Sequence, residues 1–253
     1  MIFELVLLLA SAADAAPADT DPAAPPPAGT VPVDDGEQLP LSNTLQATFA
    51  LDGASKLLLD EVTADVEVVA SDREDISVTL ELESQQLLIF SNRRTTWAIH
   101  HAEVVAERTE EGLRLSVHFP VRIDEDWLSA TWHIEVPASL PLDLEVTSGG
   151  ILVTGSSGGV RMDSTNGALS AELPHGPLNM HSVNGAASAQ IADDSYSDIS
   201  LSTTSGVTRL TIDGETVEPS SSGDIQLHGD GAYGYDLRTV NGSVVLVLGA
   251  GGD

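Results

Sequence analysis

Val160–Leu173 reads VRMDSTNGALSAEL, Leu178–Ile191 reads LNMHSVNGAASAQI, and Tyr235–Leu248 reads YDLRTVNGSVVLVL. Aligned on their Asn-Gly dipeptides, the three stretches carry apolar residues at the same offsets. Val160, Met162, Leu169, Ala171 and Leu173 flank Gly167; Leu178, Met180, Ala187, Ala189 and Ile191 flank Gly185; Tyr235, Leu237, Val244, Leu246 and Leu248 flank Gly242. Alternation with period two predicts strands that bury one face. Weaker copies read LDLEVTSGGILV (Leu142–Val153), ISLSTTSGVTRLTI (Ile199–Ile212) and TVEPSSSGDIQL (Thr216–Leu227). The six aligned glycines, Gly149, Gly167, Gly185, Gly206, Gly223 and Gly242, are spaced by 18, 18, 21, 17 and 19 residues. A near-constant period of this length marks a repeat architecture.

Two all-β architectures accommodate the repeat. In a parallel β-solenoid each unit of about 18 residues is one coil, and its corners stack about 4.8 Å apart. In an antiparallel β-meander each Asn-Gly is instead a hairpin turn. The small polar residue three places before the glycine (Ser164, Ser182, Thr203, Thr239) favours the solenoid, because hairpins prefer bulky cross-strand pairs there. The expected corners are Gly149, Asn166, Gly167, Asn184, Gly185, Gly206, Gly223, Asn241 and Gly242, with glycine supplying positive φ and asparagine tolerating it next best. The fifth unit is degenerate, with Thr216 and Glu218 at core positions.

Upstream, LQATFAL (Leu45–Leu51), KLLLDEVTADVEVVA (Lys56–Ala70), ISVTLEL (Ile76–Leu82), LRLSVHF (Leu113–Phe119) and TWHIEV (Thr131–Val136) also alternate. Lys56–Ala70 reads as a degenerate repeat with Thr63-Ala64-Asp65 at its corner, whereas residues 84–105 show no clean period and suit a loop or short helix. The expected organisation is a signal peptide over 1–16, a Pro/Ala/Asp-rich disordered linker over 17–42, an irregular N-terminal β region or cap over 43–137, and solenoid repeats over 138–249. MIFELVLLLASAADAA is too short an apolar run to span a bilayer and ends in small residues that fit a cleavage site. Its departure from the usual pattern is the absence of Lys or Arg before the apolar run.

With 10 Lys+Arg against 39 Asp+Glu, the chain carries a net charge of −29. That charge excludes nucleic-acid binding, which needs cations to replace phosphate counterions. The chain has no cysteine, so thiolate metal sites, disulfides and a Cys nucleophile are excluded as well. No later run of about 18 apolar residues predicts a transmembrane segment.

The run VTADVEVVASDREDISVTLELE (Val62–Glu83), the stretch IEVPASLPLDLEVTSGGILVTG (Ile134–Gly155) and the repeated TNG and VNG corners together resemble the bacterial putative-adhesin family of β-strand repeats, the toast-rack group. The likeness covers roughly residues 45 to 249. It implies a parallel β-repeat fold and an exported protein of the bacterial envelope, without known catalytic residues. The sequence departs from the family in its acidity.

Few residues suggest chemistry. Asp193, Asp194 and Asp198 cluster in the longest inter-repeat segment and form a candidate calcium site, since carboxylates are hard oxygen ligands; no other cofactor is expected. His118, His133 and Glu135 would share an exposed face and suit a divalent metal if their strands pair, whereas the adjacent His100 and His101 would point to opposite faces. Asp143, Asp163, Asp224 and Asp236 fall on outward positions of different units and would stack into a carboxylate row, the nearest approach to a glycoside-hydrolysing pair. Short coils without long loops leave no cleft for such a pair, so no enzyme is expected. The expected function is a non-catalytic exported module, periplasmic, cell-surface or secreted, that meets an envelope glycan, wall polymer or surface protein through a repetitive face. The competing readings are a polysaccharide-active β-helix enzyme and a self-assembling envelope scaffold.

Overall fold

Each of the segments Ser164–Gly167, Ser182–Gly185, Thr203–Gly206 and Thr239–Gly242 ends one strand and releases the chain into the next, yet the two strands it joins do not pair with each other. Both pair in parallel with the equivalent strands of neighbouring repeats. The hairpin architecture is thereby overturned, and the fold is all-β with mostly parallel pairing. The computed structural model describes residues 40–84, 93–123, 128–219 and 223–249. The expected leader over 1–16, and the linker over 17–42 as far as residue 39, lie outside the described residues.

The repeats comprise β7 (Leu142–Ser148) and β8 (Ile151–Thr154), β9 (Val160–Asn166) and β10 (Leu169–Leu173), β11 (Leu178–Asn184) and β12 (Ala187–Ile191), β13 (Asp198–Ser205) and β14 (Thr208–Ile212), and β17 (Gly234–Asn241) and β18 (Val244–Leu248). A further layer is supplied by β2 (Leu57–Ser71), which turns a corner at Thr63-Ala64-Asp65. Its first half pairs with β7, and its second half pairs with β8. Two ladders result. The first runs β5 (Leu113–His118), β2, β7, β9, β11, β17, β13. The second runs β6 (Leu128–Pro137), β2, β8, β10, β12, β18, β14. Every strand within these two runs is parallel to its neighbour.

The inward positions of both ladders form one apolar core. Leu144, Met162, Met180, Leu237 and Leu201 share a register row in the first ladder, Val153, Ala171, Ala189, Leu246 and Leu210 share one in the second, and all are buried. Burying one such Leu or Val contributes about 1.5–3 kcal/mol.

The layers do not stack in chain order. The last repeat, β17–β18, lies between β11–β12 and β13–β14. The fifth unit forms no layer. Within it, β15 (Glu215–Val217) runs antiparallel to β14, and β16 (Ile225–His228) runs antiparallel to β13. Gly223 is therefore not a stacked corner, contrary to the sequence expectation. Thr216 and Glu218 cannot line an apolar core, so the chain reverses there and covers the outermost layer. At the other end, β3 (Asp75–Ser84) and β1 (Ser42–Ala50) cover β6 with antiparallel pairing, and β4 (Glu103–Arg108) covers β5. Antiparallel covers at both ends restrict the unpaired backbone that an open parallel stack would present. Between β3 and β4 a short helix, α1 (Arg93–His100), occupies part of the stretch without a strand period.

The corners explain the repeat. Ser164, Ser182, Thr239 and Thr203 donate their hydroxyls to the carbonyls of Gly149, Gly167, Gly185 and Gly242, at 3.3, 3.0, 2.8 and 2.8 Å. Each such bond joins one layer to the next and satisfies a hydroxyl, contributing about 1 kcal/mol. Outside them runs an asparagine ladder, in which Asn184 donates to Asn166 and Asn241 donates to Asn184, both at 2.9 Å. Gly149, Gly223 and Gly242 adopt positive φ, as expected, but close approach is what the other three corners require. Gly167, Gly185 and Gly206 are not in the positive-φ region. A Cβ on any of them would meet a neighbouring glycine carbonyl oxygen at 1.7–1.9 Å.

A candidate ligand groove on the first ladder

On the outward face of the first ladder, parallel register sets residues of equal offset side by side, about 4.8 Å apart. One row runs Asp143, Arg161, Asn179, Asp236, Ser200. The next runs Glu145, Asp163, His181, Arg238, Ser202. Like charges in such a register repel; Glu145 does stand between Asp60 and Asp163, but elsewhere on the face carboxylates meet cations. Lys56 Nζ lies 2.9 Å from Asp143 and Arg161 Nε lies 2.9 Å from Asp163; His181 is 3.5 Å from Asp163, and Arg238 is 2.7 Å from Asp236. Three of the chain's 10 Lys and Arg residues thus gather on one face of an otherwise acidic protein.

An open groove of about 410 Å3 follows the first row. Its floor is made where the strands begin, by Pro141, Gly159, Pro177 and Gly234, and its polar wall is Lys56, Asp143, Arg161, Asn179 and Asp236. At Gly159 the glycine has a packing cause, because a Cβ there would stand 3.2 Å from the Pro177 ring, whereas one on Gly234 would meet only Ser197 Oγ at 4.0 Å. The result is an apolar trough with one polar side chain per layer.

The carboxylate row expected from Asp143, Asp163, Asp224 and Asp236 does not form. Asp143 and Asp236 share a row but are separated by Arg161 and Asn179, Asp163 belongs to the adjacent row, and Asp224 precedes β16. Nor do His118, His133 and Glu135 meet, because β5 belongs to the first ladder and β6 to the second. His133 pairs with Glu67 at 2.8 Å, and Glu135 pairs with Arg73. Asp193, Asp194 and Asp198 are likewise not drawn into one cluster. Asp193 Oδ1 accepts the Ser195 N–H at 2.9 Å, while Asp198 pairs with His228 at 2.5 Å. Among the described residues no three His, Asp or Glu side chains converge as metal ligands would.

Sequence reasoning missed one cluster. The chain's three tyrosines, Tyr196, Tyr233 and Tyr235, all sit beside the inserted repeat. Tyr233 stacks on His175 with ring centroids 5.9 Å apart, Tyr196 lies against Gly229 and Gly231, and the buried Tyr235 donates its hydroxyl to the Ser195 carbonyl at 3.2 Å. Tyr196 and Tyr233 in inter-repeat segments, with Tyr235 opening the last repeat two residues on, were the available signal. Burial, reinforced by the negative charge of Asp193, pushes the Tyr235 hydroxyl up to about 12 from its usual 10. A raised acid favours the neutral form in the folded state, so this contribution is complete below about pH 10 and disappears as pH climbs toward 12. The tyrosinate absorbance difference between the parent and Tyr235→Phe should have its midpoint near pH 12; a midpoint near 10 would contradict the buried placement.

No family model matches this chain, and no curated protein is similar to it. The fold is shared with a solved structure from Clostridium sporogenes ATCC 15579, described as a putative cell adhesion protein. The match has a TM-score of 0.56 and 10% identity, and it covers 82% of this chain and 99% of that one. Structures described as putative adhesins from Bacteroides fragilis NCTC 9343 and Parabacteroides merdae ATCC 43184 match 81% and 80% of this chain. They cover 97% and 95% of their own chains, at 9% and 8% identity with TM-scores of 0.29 and 0.24. At these identities the likeness concerns the fold, and it rests on the first of the three. The fold is accordingly one found in a protein described as a bacterial cell adhesion protein, as the sequence resemblance implies.

Proposed function

We propose that the protein is an exported, non-catalytic adhesin-like module of the bacterial envelope, and that the groove on its first ladder holds a linear polar polymer such as a glycan strand. The observation that carries this reading is the row Asp143, Arg161, Asn179, Asp236 above its proline–glycine floor. Each layer offers one hydrogen-bonding side chain, at a spacing close to the length of one sugar unit in a linear chain. A polymer laid across the strands therefore meets the same kind of contact repeatedly, and weak contacts sum by multivalency. The two ladders act as faces of a solenoid in this reading, with the corner hydrogen bonds keeping the face rigid. Pairing of Asp143, Asp163 and Asp236 with cations supports binding over hydrolysis, because a hydrolase needs two carboxylates facing one bond. Export is supported by the leader-like residues 1–16 and the proline-rich stretch behind them.

The test is co-sedimentation with isolated envelopes and with purified wall glycan. The parent should be retained, and the double variant Arg161→Ala/Asn179→Ala should lose binding by about tenfold or more, the equivalent of about 1.4 kcal/mol. The control Ser170→Ala/Ser188→Ala, on the outward face of the second ladder, should bind as the parent does. Equal loss in both variants, or no retention of the parent, would overturn the groove assignment.

A further inference from the structure

The inserted repeat is held on both sides by its own kind. In the first ladder β17 pairs with β11 and with β13; in the second, β18 pairs with β12 and with β14. Its corner completes the asparagine ladder through Asn184 and Asn241, and Thr239 donates to Gly185. Tyr235, Leu237, Val244, Leu246 and Leu248 fill the core at this level, each with 1% exposure or less. Take the insert away, and a slot one strand wide remains in each ladder, lined by hydrogen-bonding backbone edges and an apolar floor. The filler is joined to β16 by a single short segment, residues 229–233, which contains two glycines.

We propose that this slot is a docking site for the same segment of a second copy, so that residues 234–248 exchange between two chains. The complementarity is complete by construction, because the partner's segment carries the same corner, the same inward side chains and the same hydrogen-bonding edges. Exchange of an identical element is a low-cost route to association. Folding order adds to it. The asparagines that meet across the slot are 57 residues apart in sequence. Until β17–β18 arrives, the β11–β12 edge lacks its strand partners, because β13–β14 joins the stack only through the insert. Until then the slot is open to any matching segment, and a slow long-range closure competes with capture from another chain. A net charge of −29 sets the condition. Mutual repulsion disfavours exchange at low ionic strength, and screening restores it.

The absence of cysteine makes introduced thiols unambiguous. Ser188 and Val245 are register partners across β12 and β18. Two single variants, Ser188→Cys and Val245→Cys, are unfolded in urea, mixed, refolded together at high protein concentration and moderate salt, and treated with a short bismaleimide. The expected product is a covalent heterodimer whose yield rises with protein concentration and with salt, and which neither variant gives alone. A second pair, Gln190→Cys with Val247→Cys, reports the same juxtaposition should either first variant fold poorly. Monomers only, at every concentration and with both pairs, would overturn the proposal. So would equal crosslinking of Ser188→Cys with Arg209→Cys, since β18 stands between those two positions and equal yields signify random collision or stacking in chain order.

Discussion

Gly185→Ala is expected to destabilise the protein by about 3 kcal/mol or more, although it adds a single methyl group. The added Cβ would stand 1.9 Å from the Gly167 carbonyl oxygen and 2.9 Å from Ser182 Oγ. The first of these is backbone, fixed by the ladders on either side, so no side-chain rotation relieves the clash. The layers must separate locally, and the hydrogen bond from Ser182 to Gly167 is lost with them. Overpacking that forces backbone movement commonly costs 1–3 kcal/mol, and loss of a buried hydrogen bond adds roughly 1. The comparison is Gly214→Ala, where φ is +80° and nothing stands within 4 Å of the added carbon. There only the backbone preference is lost, about 1 kcal/mol. Urea denaturation of both variants separates close approach from backbone conformation. Equal costs would mean that close approach to the Gly167 carbonyl does not set the penalty at Gly185.

The second large effect concerns Leu246, fully buried in β18. Leu246→Ala leaves a cavity in the inserted layer and should cost about 2–5 kcal/mol. Its distribution along the chain is the informative part. The strand pairings that connect β13, β14, β15 and β16 to the rest of the described residues all run through β17 and β18. Amides over 198–228 should therefore lose hydrogen-exchange protection together with 234–248, while those over 142–166 keep theirs. Sequence-order stacking makes the opposite prediction, with 198–228 still protected by β11 and β12. Protection of that kind would remove the insertion from the fold.

The period-two pattern and its 18-residue recurrence were legible because burial of one face is a local property of each strand. Val160, Met162, Leu169 and Ala171 are inward for the same reason that Leu178, Met180, Ala187 and Ala189 are. The degeneracy of the fifth unit was also visible in Thr216 and Glu218, and those residues do stand where the chain reverses. The groove was not legible. Asp143, Arg161, Asn179 and Asp236 are separated by 18 residues and then by 57, and only the register of four strands puts them in one row. The candidate metal groups failed for a related reason. His118 and His133 alternate correctly along their own strands, but strand partnership, which alternation does not encode, sends them to different ladders.

By itself, then, the sequence determined the class of the fold, the position of its corners other than the one expected at Gly223, and which side of each repeat strand faces the core, since all three follow from short-range spacing of apolar residues and glycine. The stacking order was decided by the tertiary structure alone. Every repeat presents nearly the same edge, so β11–β12 can accept either β13–β14 or β17–β18 in the same register. Which one it takes depends on the summed fit of corners, tyrosine contacts and covering strands. That sum exists only when all the layers are assembled, and no single repeat contains it.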